Sequence, residues 1–242
     1  MLLSVVTSGA TVGMLVSQLA VVGELRRAQA TQAPVPMLQW LASFLNSVLW
    51  TKYGLLRDDT AVLLVNGLGV AIALYILGCF WHYGGARRRR VESGALVAVL
   101  LAVALVAYVD YSLDPRAVER FGLACCAMSL VFLGSPLGQI GHVVRSRDAS
   151  VLLPSVALLA LVTNALWATY GAQRGDPFIV VPNVVGSVFC LVQLSLVAYY
   201  GRAVAGHGQL AAAPGAAGGH EEIKMDALFR EDAPAGGRPA AD

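Results

Sequence analysis

Charge is scarce in this sequence. Asp, Glu, Lys and Arg supply 13% of its 242 residues against 57% hydrophobic ones, where soluble globular chains carry about 25% charged residues. The mean hydropathy is +0.66, and the few charges crowd into short clusters between long apolar runs. This pattern excludes an ordinary soluble domain and fits a protein that lives in lipid. No Asp, Glu or Lys lies deep inside an apolar run; Lys52 and Asp110 stand near run ends. Ionisable residues buried in a membrane mark ion and proton pathways, and no Asp, Glu or Lys is so placed here. Cys79, Cys125, Cys126 and Cys190 sit inside apolar runs without metal-type spacing, which argues against a disulfide framework or a metal site. His82 and His142 stand at helix ends, and His207 and His220 in the last 42 residues. No His/Cys/acid constellation forms, so no catalytic residue, metal or cofactor is expected, and the chain does not read as an enzyme. No nucleic acid is expected among its partners.

What is present is a set of runs long enough to cross a bilayer, which takes roughly 20 apolar residues as a helix. Seven qualify: about Leu2–Gly23, Pro36–Leu56, Ala61–Tyr83, Gly94–Leu113, Phe121–Val144, Val151–Ala172 and Pro177–Tyr200. Lipid cannot satisfy open backbone polar groups, and the strands of a barrel would alternate in polarity, so these are helices. The first run lacks a basic n-region and a cleavage site, so it reads as a retained span rather than a signal peptide. Arg26, Arg27, Arg87 to Arg90, Arg145 and Arg147 fall in alternate connections. The positive-inside rule makes those connections cytoplasmic, with the N-terminus outside and the C-terminus inside. From about Gly201 onward Gly, Ala and Pro dominate and apolar periodicity ends, as expected of a disordered cytoplasmic tail over 201–242.

A duplication organises the spans. Leu49–Gly69 reads LWTKYGLLRDDTAVLLVNGLG, and 117 positions later Leu166–Gly186 reads LWATYGAQRGDPFIVVPNVVG. Trp50 matches Trp167, Tyr53 matches Tyr170, Gly54 matches Gly171 and Arg57 matches Arg174. Asp59, Asn66 and Gly69 match Asp176, Asn183 and Gly186. The first span aligns with the fifth at a register of 118, Leu15 to Leu19 against Leu133 to Leu137. The fourth span has no counterpart. It has a topological use, because three helices end on the opposite face from where they began, and one extra crossing lets both copies run in parallel. The expected fold is therefore an all-α membrane protein with seven transmembrane helices in a 3+1+3 arrangement. It comprises a first repeat over 1–84, a loop and linker helix over 85–118, and a second repeat over 119–200. Parallel repeats of this kind are a transporter plan.

The paired residues set apolar aromatic faces beside neutral hydrogen-bonding groups: indoles offer a flat stacking surface, and carboxamides supply donors and an acceptor. Asn46, Trp50 and Tyr53 share one helix face, and Thr163, Trp167 and Tyr170 repeat that spacing. Asn164 reads instead as a helix-packing residue, and Trp81 and Trp40 as members of the interfacial aromatic belt.

On the W-x-x-Y-G…D…N pattern in both copies, and on Ser135-Pro136-Leu137, the chain resembles the SWEET family of sugar transporters, in its animal branch, from about Val12 to Tyr200. The resemblance implies bidirectional, energy-independent uniport of mono- or disaccharides by alternating access. It implies a pocket of Asn66, Asn183, Trp50, Trp167, Asn46 and Thr163. It also implies an outer gate of Tyr53 with Asp176, and helix-bending prolines at Pro136, Pro154 and Pro36. Gln18 and Gln39 stand where the family pattern has prolines, so the first half diverges. A sugar and the lipid bilayer are the implied partners, a homo-oligomer is compatible, and the plasma membrane or the Golgi membrane is the expected location. Two alternatives stand beside this reading. One is a related PQ-loop carrier of another small solute, although neither a Pro-Gln dipeptide nor a buried acid occurs here. The other is a seven-helix receptor, which would share the topology but not the duplication.

Overall fold

The computed structural model describes residues 2–23, 27, 37–83, 85, 88–132 and 134–208. Eight helices run through them in chain order: α1 Leu2–Ser17, α2 Leu38–Leu56, α3 Thr60–Tyr83, α4 Arg88–Tyr111, α5 Ala117–Phe132, α6 Gly134–Ser146, α7 Pro154–Arg174 and α8 Pro177–Gly208. Five spans are long and apolar enough to cross a membrane: Leu2–Gly23, Thr60–Tyr83, Arg88–Tyr111, Pro154–Arg174 and Pro177–Tyr200. Helices α5 and α6 divide the expected fifth span between them. Helix α2 is the expected second span, its apolar character diluted by Asn46, Ser47, Thr51 and Lys52. Large apolar side chains such as Leu96, Val97, Leu100 and Val103 of α4 point outward, as they should where lipid is the solvent.

Two boundaries differ from expectation. Helix α4 starts at Arg88 rather than near Gly94, so three of the arginines read as loop form its first turn. Helix α8 runs on to Gly208, beyond the expected end at Tyr200; Ala203 and Ala205 favour helix although the amphipathic pattern has ended. The rest of the expected tail, with Arg26, Arg87 and Pro36, lies outside the described residues. Trp40 is buried among Phe44, Ile72 and Phe80 rather than placed in an interfacial belt, whereas Trp81 is exposed.

The two copies of the repeat fold alike, down to their turns. In each, a helix ends in a residue of left-handed conformation, Asp58 (φ 49) after α2 and Gly175 (φ 63) after α7. The following amide then reaches back, Asp59 N–H to the Gly54 carbonyl at 2.8 Å and Asp176 N–H to the Gly171 carbonyl at 2.9 Å. Those bonds close a Schellman turn in both copies. Gly175 adopts this conformation freely, and Asp58 is one of the few other residue types that tolerate it. Each aspartate then caps the next helix, Asp59 accepting from Val62 N–H at 3.1 Å and Asp176 from Phe178 N–H at 3.0 Å. Pro177 occupies the first position of α8, where its missing N–H costs nothing.

Small residues set the distance within each hairpin. A Cβ added at Gly54 would stand 2.7 Å from the Leu63 backbone nitrogen, and one at Gly171 would stand 2.9 Å from Ile179 Cβ. Gly69 is seated on Ser47 and Gly186 on Asn164 in the same mirrored way. The halves also interlock, because α1 of the first packs on α7 of the second, and α5 of the second packs on α2 of the first. The linker helix α4 lies against α2, α3 and α5, with a Lys52–Asp110 ion pair at its α2 contact.

The first span bends without a proline. At Gln18–Leu19 the helix gives way to a turn, and the amides of Gln18, Leu19, Val21 and Val22 bond to carbonyls three residues back at 3.0–3.2 Å. Such tightened turns mark bends.

Gly54→Ala should destabilise the protein by about 1–3 kcal/mol, because the clash is with backbone that cannot rotate away. Gly78→Ala should be harmless, since nothing lies within 4 Å of a Cβ there. Fluorescence-detected size-exclusion of tagged variants reports both, and an undiminished monodisperse peak for Gly54→Ala would contradict the packing account.

Candidate functional site

A cavity of about 200 Å³ opens where the two halves meet. Its lining comprises Thr11, Asn46, Trp50, Val62, Val65, Asn66, Ser129, Asn164, Trp167, Ile179, Pro182 and Asn183. Five of the six residues expected in the pocket are therefore together: Asn46, Trp50, Asn66, Trp167 and Asn183. Thr163 is not among them; it is buried, with its hydroxyl donating to the Leu159 carbonyl at 2.9 Å. Its neighbour Asn164 takes the place, one residue and about 100° further round the helix.

The two Asn residues from α3 and α8 are held identically. Asn66 Nδ2 donates to the Val62 carbonyl at 2.8 Å, and Asn183 Nδ2 donates to the Ile179 carbonyl at 2.7 Å. Each bond uses one amide proton and leaves the other, together with the carboxamide oxygen, for a ligand.

Each tryptophan is fixed from the opposite half. Trp50 Nε1 donates to Ser129 Oγ at 2.9 Å, and Trp167 Nε1 donates to Thr11 Oγ1 at 2.9 Å. Thr11 and Ser129 are equivalent in the register of 118 that relates the first span to the fifth. The symmetry ends at the next bond, for Ser129 Oγ donates to Asn46 Oδ1 at 3.0 Å, whereas Thr11 Oγ1 donates to the Thr7 carbonyl at 2.9 Å. Neither hydroxyl stood out in the sequence, because a lone Ser or Thr in an apolar helix commonly bonds to its own backbone.

Beyond the cavity, at the side that the arginine distribution makes external, two crossed clasps join the halves. Tyr53 hydroxyl donates to Asp176 Oδ2 at 2.8 Å, as the resemblance implies. Its mirror image is also present, with the Tyr170 hydroxyl 2.8 and 2.9 Å from the two Asp59 oxygens. Arg57 stands 3.6 Å from Asp176 and Arg174 stands 3.5 Å from Asp59. Asp59 and Asp176 are only 5% and 4% exposed, so each carboxylate needs these partners together with its capped amide. Trp50 meets Tyr53 edge-on, and Trp167 meets Tyr170 in the same way, so each clasp rests directly on a cavity wall. All four clasp residues belong to the matched set of the duplication, which was the signal for the second clasp.

The prolines expected to bend helices are placed differently from one another. Pro154 opens α7 in its first turn. Pro136 falls in the first turn of α6. Among the described residues, no group of three or more His, Cys, Asp or Glu could hold a metal ion.

Comparison with known proteins matches this arrangement. A family model described as "Sugar efflux transporter for intercellular exchange" matches residues 1–88 and 119–204, leaving out the linker helix. The chain is 30% identical over 198 residues to "Sugar transporter SWEET1" of Danio rerio, covering 80% of this chain and 89% of that protein. It is 30% identical over 200 residues to the protein of the same name from Mus musculus, with 78% and 86% covered. "Bidirectional sugar transporter SWEET7" of Arabidopsis thaliana is 29% identical over 176 residues, with 69% and 67% covered. In structure the chain is similar to a solved eukaryotic SWEET transporter, with a TM-score of 0.75 at 23% identity, covering 83% of this chain and 95% of that one.

If the two clasps are equivalent, Tyr170→Phe should lower the thermal unfolding midpoint in detergent about as much as Tyr53→Phe. Each removes one hydrogen bond to a carboxylate, worth about 1.5–3 kcal/mol. A silent Tyr170→Phe beside a damaging Tyr53→Phe would show that only one clasp bears load.

Proposed function

The chain belongs to the SWEET family of sugar transporters, and on that footing we propose that it carries hexose-sized sugars in both directions by energy-independent uniport. The observation that carries this reading is the mirrored pair of Trp and Asn around one cavity beneath a closed outer gate. Indole faces at Trp50 and Trp167 match the C–H faces of a sugar ring. The carboxamides of Asn46, Asn66, Asn164 and Asn183 offer neutral donors and acceptors to its hydroxyls. No residue lining the cavity is ionisable, which supports a passive carrier over a proton-coupled one. At about 200 Å³ the cavity lies below the ~300–1,000 Å³ of drug-sized sites, and this favours a monosaccharide over a disaccharide.

In this reading sugar is bound between the repeats over 1–84 and 119–200, which rock about the linker over 85–118. The site is exposed first to one side and then to the other. The clasps Tyr53–Asp176 and Tyr170–Asp59 must break for the outer side to open. The arginine distribution supports an external N-terminus and a cytoplasmic C-terminus, and family membership makes the plasma membrane or the Golgi membrane the proposed location.

Radiolabelled hexose uptake in transport-deficient cells tests the proposal. Wild type should show saturable uptake that is insensitive to external pH and equal in capacity for entry and exit. Asn66→Ala and Asn183→Ala should each lose about ten-fold in uptake, as one hydrogen bond in a desolvated site implies. Normal uptake by both variants at equal surface expression would remove these residues from the site. A steep dependence on external pH would replace uniport with proton coupling.

A further inference from the structure

Helix α8 contains an interior proline, Pro182, that lines the cavity beside Asn183. A proline has no N–H to give, so it leaves the carbonyl four residues back without its helical partner, and its ring pushes against that carbonyl. Here that residue is Phe178. Its carbonyl is not orphaned, because the Cys126 thiol of α5 donates to it at 3.2 Å. A thiol is a weak donor that reaches a carbonyl less tightly than an amide does. It thus supplies from a neighbouring helix the bond that the chain itself omits.

Phe178 is also held at three points, two of them on the gate. Its N–H donates to Asp176 Oδ1 at 3.0 Å. Its ring meets Tyr53 edge-on, with centroids 6.1 Å apart. The same ring is seated on Gly122 of α5, where an added Cβ would come within 2.8 Å of it. The gate carboxylate therefore belongs to the short turn before Pro182, while the cavity residue Asn183 lies immediately after it. The first half has no equivalent proline, since Val65 occupies the position that corresponds to Pro182.

We propose that Cys126 is a positioning residue for the outer gate, holding the Phe178 turn, and Asp176 with it, in the closed arrangement across the bend at Pro182. The proposal rests on the transport reading above. Opening then consists of this turn leaving Cys126 and Gly122 about the proline, while Asn183 keeps its place. Losing the thiol shifts the population toward the outward-open form, and apparent affinity follows the fraction of protein competent to bind from each side.

Two measurements on the full-length protein test this. In zero-trans entry and exit of labelled hexose, Cys126→Ala should lower the KM for entry relative to that for exit by roughly three-fold, the scale of one weak hydrogen bond. Cys126→Ser should restore the wild-type ratio. In a Pro182→Ala background, where residue 182 again supplies an N–H, Cys126→Ala should leave the ratio where Pro182→Ala alone puts it. Amide hydrogen exchange over residues 176–183 of the purified protein needs no flux; it should quicken in Cys126→Ala and recover in Cys126→Ser. If the alanine variant fails to reach the membrane, Cys126→Val keeps the volume without the donor. A KM ratio and an exchange rate both unchanged in a folded variant overturn the proposal. So does a thiol effect of the same size with and without Pro182. A wild type without saturable flux overturns the transport reading instead, and the exchange rates then decide the thiol's role alone.

Discussion

Two buried carboxylates govern this structure. Asp59 and Asp176 each finish one helical hairpin and start its second helix, and each sits almost fully out of contact with solvent. A carboxylate so placed must be hydrogen-bonded, and its own hairpin supplies only the capped amide. The remaining partners come from the other half, Tyr170 to Asp59 and Tyr53 to Asp176. Solvation of a charge in one repeat is thus completed only by the other, which makes the pairing of the halves obligatory on this side. The same arrangement sets Tyr53 against Trp50 and Tyr170 against Trp167, so that the clasps and the cavity walls share a packing surface.

The cavity below repeats the rule with neutral groups. Every indole N–H in its lining is accepted by a hydroxyl from the opposite half. Asymmetry enters in what those hydroxyls do next, at Asn46 and Asn164, whose counterparts Thr163 and Ser47 are not among the lining residues, and at Pro182 of α8, which replaces an ordinary helical residue. A two-fold site can hold a ligand without itself being two-fold, and the departures lie where direction of movement has to be decided.

Much of this was legible in the sequence because the duplication reports on itself. Seven matched positions name both clasps, both cavity tryptophans and the cavity asparagines Asn66 and Asn183, and the unpaired fourth span fixes the parallel sense of the repeats. What stayed hidden depends on neighbours across the fold. Thr11 and Ser129 are ordinary hydroxyls until an indole faces them, and the one-residue shift between the registers of 117 and 118 masks their equivalence. Thr163 and Asn164 differ by a single step round α7, and packing against Gly186 turns the second toward the cavity. The bend at Gln18 needs no proline, so composition gives no notice of it. The asymmetry that Gln18 and Gln39 suggested for the first half has a counterpart in the second, at Pro182.

The linker helix bears on how such a chain is made. Lys52 enters the membrane on the second span, and its counter-ion, Asp110, arrives on the fourth. Asp59 meets its tyrosine only 111 residues further on, and Tyr53 meets its aspartate after 123. The four leading helices can settle one of their charges among themselves, while the carboxylate of the first hairpin stays without its tyrosine until the second is in place. During synthesis the outer end of the first repeat is therefore an unfinished surface, open to water or to a chaperone, and its completion coincides with the end of membrane insertion.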